Sequence, residues 1–296
     1  MTLDQLRIFL AVAEREHVTR AAEALHLTQS AVSGAIHALE ERHGVRLFHR
    51  VGRGIQLTAE GRAFVSEARA ILALVRNAEN TLADLSGVKR GVLSIFASQT
   101  TASYWLPQHL VRFRERYPGI DLQLEIGNTA QCVRSVLTGA ADLGFIEGAV
   151  EEPSLRTETV ARDRLLVVVG RDHSWVGRPP TSPVELSQTE WALREPGSGT
   201  RSTFEEALRN WGVEPDALTV AMQLPSNEAI CTAVEMGHLA AAVSEYVARA
   251  GMETGRLVPL SFEFPVRDLS MIQHQERHPG QAAKTFAQMI REASLL

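Results

Sequence analysis

Residues 19–33 decide the fold, and they read Thr-Arg-Ala-Ala-Glu-Ala-Leu-His-Leu-Thr-Gln-Ser-Ala-Val-Ser. The stretch Thr19–Leu25 is short, amphipathic and rich in alanine, which predicts a helix that packs closely on its neighbours. His26 and Leu27 interrupt it, and Thr28 is a favourable N-cap for a following helix that begins at Gln29. Two short helices joined by a tight turn predict a helix-turn-helix.

The helix that begins at Gln29 has an apolar side and a polar side. We expect its apolar residues to face the core: Ala31, Val32, Ala35, Ile36 and Leu39. The polar residues recur on the opposite side, where a helix lying in the major groove of DNA meets the base edges. From this segment we expect DNA contacts by Thr28, Gln29, Ser30, Ser33 and His37.

The flanking residues predict the rest of a winged domain. Leu3 to Ala13 has apolar residues at helical spacing and predicts a first helix. Val45–Arg50 and Gly54–Leu57 read as two short strands around a turn rich in glycine and arginine. Arg50 and Arg53 in this wing would meet phosphate or the minor groove, which supplies affinity that depends on salt.

Residues 59–86 predict one long helix with a narrow apolar seam. Its members are spaced alternately by four and three residues: Phe64, Ala68, Ile71, Val75, Ala78, Leu82 and Leu85. Such a heptad seam favours pairing with a second helix, so we expect dimerisation here, with Thr58 as the cap. The alternative is an amphipathic helix that lies on its own domain.

From Gly91 onward the pattern changes to short β-rich runs that alternate with helical segments. This alternation predicts βα units and largely parallel sheets. We therefore divide the chain into a DNA-binding domain (1–58), a linker helix (59–86), a hinge (87–90) and an α/β domain (91–296).

The composition limits the cellular compartment and the kind of partner that the protein can have. Only Cys132 and Cys231 are present, which excludes a disulfide framework and fits a reducing cytoplasm; we expect buried thiols and leave a redox switch as the alternative. No apolar run is long enough for a membrane span, and the N-terminus has no export signal. Residues 1–90 hold 12 Lys/Arg and 10 Asp/Glu, whereas the remainder holds 18 and 25. A mildly basic head on an acidic body suits a module that binds a polyanion.

Several motifs, in order, resemble the LysR-type regulator signature. They are Leu6–Ala13, Thr19–Ala22, Leu27–Ser33, Leu39-Glu40, Gly44–Arg50 and Leu57–Gly61. The resemblance implies an all-α winged helix-turn-helix domain plus a long linker helix, followed by a two-lobed α/β effector domain of the periplasmic-binding-protein type. It also implies homodimers, often assembled into tetramers, on an interrupted inverted repeat of double-stranded DNA, with RNA polymerase as a candidate further partner. One departure is Gly34, where many members carry a basic or long polar residue.

The same resemblance implies that a small molecule binds between two lobes. We place the first lobe at 91–163 and 267–296 and the second at 164–266. Loops that end strands and begin helices supply free backbone N–H groups. The residues expected to bind the effector are Ser98, Gln99, Thr100, Asn128, Glu147, Arg194, Gly197, Ser198, Gly199, Thr200, Arg201, Asn227 and Glu228.

These residues also have simpler interpretations. Ser98, Thr100 and Asn128 precede helices, where they would act as caps. Glu147 is more readily explained as bracing an arginine than as a ligand contact. The segment 194–201 is the strongest candidate, because glycines permit a nest of N–H donors and arginines add charge; the alternative is a tight turn with an N-cap.

Three segments are similar to the YeiE-like, sulfite-responsive branch of the family: 145–148, 194–201 and 227–230. This similarity suggests sulfite or another small oxyanion as co-inducer, with no cofactor and no metal. His238 departs from the family's usual glycine and is expected at the surface; the alternative is that it lines or crowds the cleft.

The sequence leaves two other classes of protein as alternatives. A small-anion binding or carrier protein without DNA function would use the same α/β half but leaves the helix-turn-helix unexplained. An enzyme would need a catalytic set, such as Ser198 with His238 or Glu147 with Glu228. The sequence has neither a nucleophile elbow nor metal-ligand spacing, so we expect no enzyme.

Overall fold

A computed structural model describes residues 1–51, 54–85, 91–277 and 279–294. These residues fall into two compact units, one formed mainly by residues 1–85 and the other mainly by residues 91–294. Arg53 and the predicted hinge lie outside the described residues. Within the described ranges, no helix combines the length and apolar character needed to cross a bilayer.

The first unit begins with three helices, α1 (Leu3–Arg15), α2 (Val18–Ala24) and α3 (Gln29–His43). The small side chains of Ala21 and Ala22 are buried against α1, which confirms close packing of the short helix. Thr28 caps α3 as expected, since its hydroxyl accepts the Ala31 N–H at 3.2 Å. His26 lies between α2 and α3 with φ +54°, so the turn uses a left-handed backbone at a residue other than glycine.

One inward-facing residue of α3 was predicted wrongly. Val32 and Leu39 are buried and Ile36 is half-buried, as expected, but Ala31 is exposed. The buried stripe follows a spacing of four and three from Val32, and Ala31 lies one residue to its side. Glu40 is buried instead, although it is charged.

The wing consists of β1 (Phe48–Val51) and β2 (Gly54–Leu57), which pair antiparallel. The predicted start of the first strand at Val45 is wrong. The buried Glu40 carboxylate binds the N–H groups of Leu47 and Phe48, at 2.8 and 3.1 Å, and so holds the chain before β1 against α3. These N–H groups therefore pair with a side chain rather than with a strand.

Helix α4 (Ala59–Leu85) follows, and Thr58 caps it by accepting the Gly61 N–H at 2.9 Å. The residues of the predicted seam differ in burial between the first and second halves of this helix. Phe64, Ala68 and Ile71 pack into the core of their own unit, with Leu6, Phe9 and Leu39 among their neighbours. This half of the helix corresponds to the alternative interpretation, in which it lies on its own domain.

The second half of the seam is more open. Val75 is half-buried, Ala78 is exposed, and Leu82 is 68% exposed. The side chain of Leu85 lies outside the described residues. The described residues of the later part of the seam are therefore more exposed than those of the earlier part.

The second unit contains two five-stranded sheets. Its elements in chain order are β3 (Gly91–Ser98), α5 (Leu106–Arg116), β4 (Ile120–Gly127), α6 (Thr129–Thr138), β5 (Leu143–Glu147), β6 (Leu155–Asp163), β7 (Leu165–Gly170), α7 (Ser174–Gly177), β8 (Glu190–Leu193), α8 (Gly199–Asn210), β9 (Thr219–Gln223), α9 (Asn227–Met236), β10 (Leu239–Ser244), α10 (Glu245–Glu253), β11 (Leu257–Pro259), β12 (Arg267–His274) and α11 (Gln281–Ser294). A π-helical turn, Thr101–Trp105, precedes α5.

Each sheet with its helices forms one lobe. The first sheet has the order β4-β3-β5-β12-β6 and the second the order β11-β7-β10-β8-β9. The chain leaves the first sheet after β6, enters the second at β7, and returns along β12. Because β12 runs back between β5 and β6, both of its pairings are antiparallel, and the second sheet is mixed as well. The prediction of largely parallel sheets was wrong on this point.

Apolar residues fill the space between each sheet and its helices. In the first lobe, Phe113, Phe145 and Phe286 pack together, with ring centroids 5.1 to 6.0 Å apart. In the second lobe, Trp191 and Phe204 are fully buried and lie 4.9 Å apart. These cores fix the strand ends and helix starts from which polar residues project where the lobes meet.

Candidate DNA-reading surface and effector cleft

The polar side of α3 is open to solvent. Gln29, Ser30, Ser33 and His37 are all exposed, as a surface that enters the major groove requires. The hydroxyl of Thr28 lies 3.1 Å from that of Ser30 and also serves as the cap. His37 lies 3.9 Å from Glu41 on the same helix. The structure therefore brings these five predicted residues onto one exposed face.

The residue that departs from the family pattern, Gly34, lies on the same helix. A Cβ atom built at Gly34 meets no atom within 4 Å, so a larger side chain would fit without rearrangement. The glycine is thus not required by packing. Its effect is to leave the surface of α3 without a long side chain at this point.

The wing contributes a cation beside this surface. Arg50 is exposed on β1 and pairs with no carboxylate among the described residues. Arg46 differs, because its guanidinium lies 3.0 Å from the buried Glu40. Arg50 is consequently the described arginine of the wing that is free to meet phosphate, while Arg53 falls outside the described residues.

In the second unit, the predicted effector residues converge where the two lobes meet. Glu147, at the end of β5, is 1% exposed. Its carboxylate accepts hydrogen bonds from the hydroxyls of Ser98, Thr101 (3.4 Å) and Thr200 (3.5 Å). Thr200 belongs to the second lobe and the others to the first, so Glu147 lies at the centre of the junction.

The expectation that Glu147 braces an arginine is wrong. The arginine nearest this cluster, Arg267, pairs with Asp163 at 2.6 Å and reaches Thr200 at 3.2 Å. Its charge is therefore neutralised by a different carboxylate, and hydroxyl groups satisfy Glu147 instead. The buried carboxylate therefore accepts hydrogen bonds from hydroxyls of both lobes at the junction.

Other hydrogen bonds join the two lobes directly. The backbone N–H of Asn227, at the start of α9, donates to the Gln99 side chain at 2.6 Å, and the Asn227 amide donates to the Thr100 hydroxyl at 3.1 Å. Asn128 caps α6 through Gln131 and also donates to Glu195 across the junction at 3.1 Å. Asn128 is thus both a cap and a contact.

Tyr104 of the first lobe makes a further hydrogen bond to the second lobe. Its phenol donates to Glu228 at 3.3 Å. Burial, and then the neighbouring charge of Glu228, raise the pKa of Tyr104 to about 12. The phenol therefore stays protonated and continues to act as a donor.

The two arginines of segment 194–201 already have partners. Arg194 is buried, binds Glu195 through two nitrogens at 2.9 and 3.1 Å, and binds the Asn227 side chain at 2.7 Å. Arg201 binds Glu205 at 2.7 Å and also the carbonyl of Arg194. Burial raises the pKa of Glu195, but bonds from Arg194, the backbone and Asn128 outweigh it and leave the pKa below its ordinary value. Both arginines thus lie in ion pairs.

The glycines of the same segment allow the lobes to approach. Gly197 has φ +89°, and its carbonyl accepts the N–H of Ala130 from the first lobe at 3.1 Å. A Cβ atom at Gly199 would collide with the carbonyl oxygen of Glu147. Both positions therefore need glycine, one for its backbone angle and one for close contact.

Ser198, between these glycines, has a buried side chain that lacks a hydrogen-bond partner among the described residues. The residue is 2% exposed, and its hydroxyl has no hydrogen-bond partner among the described residues. It occupies the N-cap position of α8 but makes no capping bond. The first N–H groups of any helix also lack intrahelical acceptors. The start of α8 thus offers unused donors inside the junction.

Sequence reasoning missed several residues that the structure places at the junction. They are Thr101, Tyr104, Thr129, Asp163, Glu195 and Arg267. Thr101 follows directly on the predicted contacts Ser98–Thr100 and could have been included. The pair Asp163–Arg267 lies where the chain crosses between lobes, and no local pattern marks it.

The two cysteines are free thiols. Cys132 is fully buried, and burial raises the pKa of its thiol far above the ordinary value. Burial likewise raises the pKa of Cys231 to about 12, helped by Glu235 and Glu228. Neither thiol forms the reactive thiolate at neutral pH, which disfavours the redox switch.

An exposed recognition helix with a basic wing, followed by a two-lobed domain with polar groups at its junction, defines a DNA-binding regulator with a ligand-responsive domain. Residues 3–62 match the model for bacterial regulatory helix-turn-helix proteins of the lysR family, and residues 86–294 match the LysR substrate binding domain. The chain belongs to the LysR family of transcriptional regulators.

Transcriptional regulators are among the known proteins that are similar to this chain. The RuBisCO operon transcriptional regulator of Allochromatium vinosum is 34% identical, over 98% of this chain and 95% of that protein. The HTH-type transcriptional regulator YeiE of Escherichia coli is 33% identical, over 97% of this chain and 96% of that protein. The solved structure of full-length CbnR complexed with its target DNA has a TM-score of 0.70 at 25% identity, over 99% of this chain and all of that one. The resemblances inferred from sequence, to the family and to YeiE, are confirmed.

Proposed function

We propose that this regulator binds an interrupted inverted repeat as a homodimer and responds to a small, singly charged oxyanion held at the start of α8. Sulfite, in its hydrogen sulfite form, is the first compound to test. The observation that carries the proposal is the buried Ser198 hydroxyl without a partner, because buried polar groups are normally hydrogen-bonded and an orphaned one marks a place for a ligand atom.

The charges at the junction select the ligand. The start of α8 attracts an oxyanion through its N–H groups and helix dipole. Arg194 and Arg201 add little, since each already pairs with a glutamate. The buried carboxylate of Glu147 meets hydroxyl donors and no cation among the described residues, so it offers a ligand a hydrogen-bond acceptor. A monoanion that also carries a proton to donate therefore fits better than a dianion such as sulfate.

The proposed DNA contacts follow from exposure. Gln29, Ser30 and Ser33 lie on the open face of α3, where they would meet base edges, and Arg50 would meet the backbone. The exposed part of α4 around Leu82 would pair two chains, so that two α3 helices meet two half-sites. Such a regulator works in the cytoplasm, and contact with RNA polymerase would follow from binding at promoters.

Gating follows from the contacts between lobes. The bonds of Asn227 to Gln99 and Thr100 hold the junction closed, so entry of a ligand requires the lobes to separate. A ligand that favours one spacing of the lobes shifts that equilibrium by its difference in affinity. This shift would change the arrangement of the dimers on DNA.

Calorimetry on the full chain tests the effector. Sulfite, sulfate, thiosulfate, phosphate and nitrate are titrated separately, and sulfite is repeated at two pH values. We expect sulfite to bind more tightly at the lower pH, where more of it carries a single charge. Ser198→Ala should weaken binding about tenfold, since it removes one hydrogen bond to a charged group.

The matched control is Ser187→Ala, which removes an exposed hydroxyl from the same lobe and should bind as the wild type does. If no anion in the panel binds at the junction, the oxyanion proposal fails, while the family assignment stands. Equal losses in the two serine variants would also contradict the proposed site.

A further inference from the structure

A pocket lies where the chain crosses between the lobes, and none of its lining residues belongs to α8. We call it the crossover pocket, and its volume is about 350 Å³. Its lining residues are Arg162, Asp163, Arg164, Glu245, Tyr246, Arg249 and Val266. Three of these seven side chains are arginines, although the acidic residues outnumber the basic ones in this half of the chain.

The carboxylates of the crossover pocket do not neutralise these arginines. Asp163 is already bound by Arg267 at 2.6 Å and by the Ser244 hydroxyl at 2.9 Å. Its charge is therefore cancelled from outside the pocket. Glu245 remains as a single negative charge at the start of α10.

The arginines themselves are largely free. Arg162 faces Asp268 at 3.9 Å, and both side chains are more than half exposed, so the pair is weak. Arg249 lies over the ring of Tyr246, 5.7 Å from its centroid. Arg164 and Arg249 pair with no carboxylate in the part of the chain that the structure describes. The pocket therefore keeps a positive charge with unused guanidinium donors.

The arginines come from both lobes. Arg162 lies on β6 of the first sheet, Arg164 begins the second lobe, and Arg249 projects from α10. Tyr246 also packs against the core of the first lobe. An anion held here would connect the two lobes at the segment where the chain crosses between them.

We infer that the crossover pocket binds the phosphate group of a small anion, as a second regulatory site distinct from the effector site at α8. Guanidinium groups recognise phosphate through paired N–H donors, and the volume suffices for a small phosphorylated compound. A multiply charged anion is preferred here because three arginines face one uncompensated carboxylate. The effector site has the opposite preference, since each of its two arginines already pairs with a glutamate.

Calorimetry on the full chain with inorganic phosphate, pyrophosphate and glycerol phosphate tests this inference. We expect pyrophosphate to bind the wild type, and Arg164→Ala and Arg249→Ala each to weaken it about tenfold or more. Tighter binding of glycerol phosphate than of inorganic phosphate would identify an organic ligand, and the reverse order an inorganic one. Either result supports the site.

Two controls separate this site from other sources of binding. Arg171→Ala removes an exposed arginine of the same lobe that pairs with Asp172, and it should leave pyrophosphate affinity within about twofold, because its charge is outside the pocket. Ser198→Ala should also leave it unchanged, even if no effector binds at α8. Thermal unfolding verifies that each variant is folded.

Three outcomes would overturn the inference. The first is that none of the three phosphate compounds binds the wild type. The second is an equal loss in Arg171→Ala, which would show a general effect of charge. The third is that Arg164→Ala and Arg249→Ala keep pyrophosphate affinity but bind random duplex DNA less tightly, which would assign these arginines to a DNA surface.

Discussion

The Oε1 atom of Glu40 lies 2.8 Å from the backbone nitrogen of Leu47, and the same oxygen accepts the N–H of Phe48 at 3.1 Å. Its second oxygen binds Arg46 at 3.0 Å. One buried carboxylate on α3 therefore fixes the start of the wing. The Glu40 side chain, which lies in an otherwise apolar core, thus fixes the position of the wing relative to the recognition helix.

Removing this carboxylate should destabilise the DNA-binding unit. Glu40→Ala leaves the buried Leu47 N–H without its acceptor, so we expect a loss of about 1–3 kcal/mol in the free energy of unfolding. Chemical denaturation measures it. Glu41→Ala is the control, because Glu41 is exposed on the same helix, and a similar loss in that variant would contradict the role of Glu40.

Arg50 is expected to contact phosphate rather than bases. Arg50→Ala should weaken binding to operator and unrelated DNA by the same factor, and reduce the slope of log affinity against log salt by about 1. Fluorescence anisotropy at several salt concentrations measures both. Arg209→Ala, at an exposed arginine of the second unit, should have no effect. A loss confined to the operator would instead indicate base recognition by Arg50.

The exposed end of α4 is expected to hold the dimer. Leu82→Asp places a charge on a side chain that is 68% exposed in the single chain, so the unit should still fold while dimer affinity falls at least tenfold. Analytical ultracentrifugation measures this change. Glu79→Asp is the control on the same helix. Ile71→Asp is a poor test, because Ile71 packs into its own core. An intact Leu82→Asp dimer would exclude this surface.

The buried histidines make stability depend on pH. Burial, and then the charge of Arg112, lower the pKa of His109 below its ordinary 6.5, and burial likewise lowers that of His173. The unfolded chain then binds more protons, so this stability is present above pH 6.5 and is lost as the pH falls through the lowered values. His109→Gln should flatten the decline seen by denaturation at decreasing pH, whereas the exposed His37→Gln should not. An unchanged profile in His109→Gln would contradict this assignment.

Local patterns predicted the parts of the structure that depend on neighbouring residues. The cap at Thr28 and the start of α3 follow from a short stretch of sequence. Gly197 was expected in a nest of N–H donors or in a tight turn, and its φ of +89° is an angle that favours glycine. In each case, the physical requirement lies within a few residues of the chain.

The wrong predictions concern residues whose hydrogen-bond or ion-pair partners are distant in the sequence. Glu147 was expected to face an arginine, but it meets three hydroxyls, one of them 53 residues away. Arg194 was expected to be free for an anion, but Asn227 and the neighbouring Glu195 occupy it. The first strand of the wing was predicted to begin too early, at Val45. The alternation of apolar and polar residues that indicates a strand gives no sign of the hydrogen bond between Glu40 and Leu47. Which charge pairs with which is decided by the tertiary fold.

Selection from a random duplex library tests most directly whether the exposed face of α3 reads DNA. The wild type should enrich two half-sites related by inversion, separated by a spacing that matches turns of the double helix. Ser33→Ala should enrich an altered half-site or lose discrimination at one position in each half. If the wild type enriches no common sequence, or if Ser33→Ala, Ser30→Ala and Gln29→Ala all select the wild-type sequence with equal affinity, α3 does not read the operator.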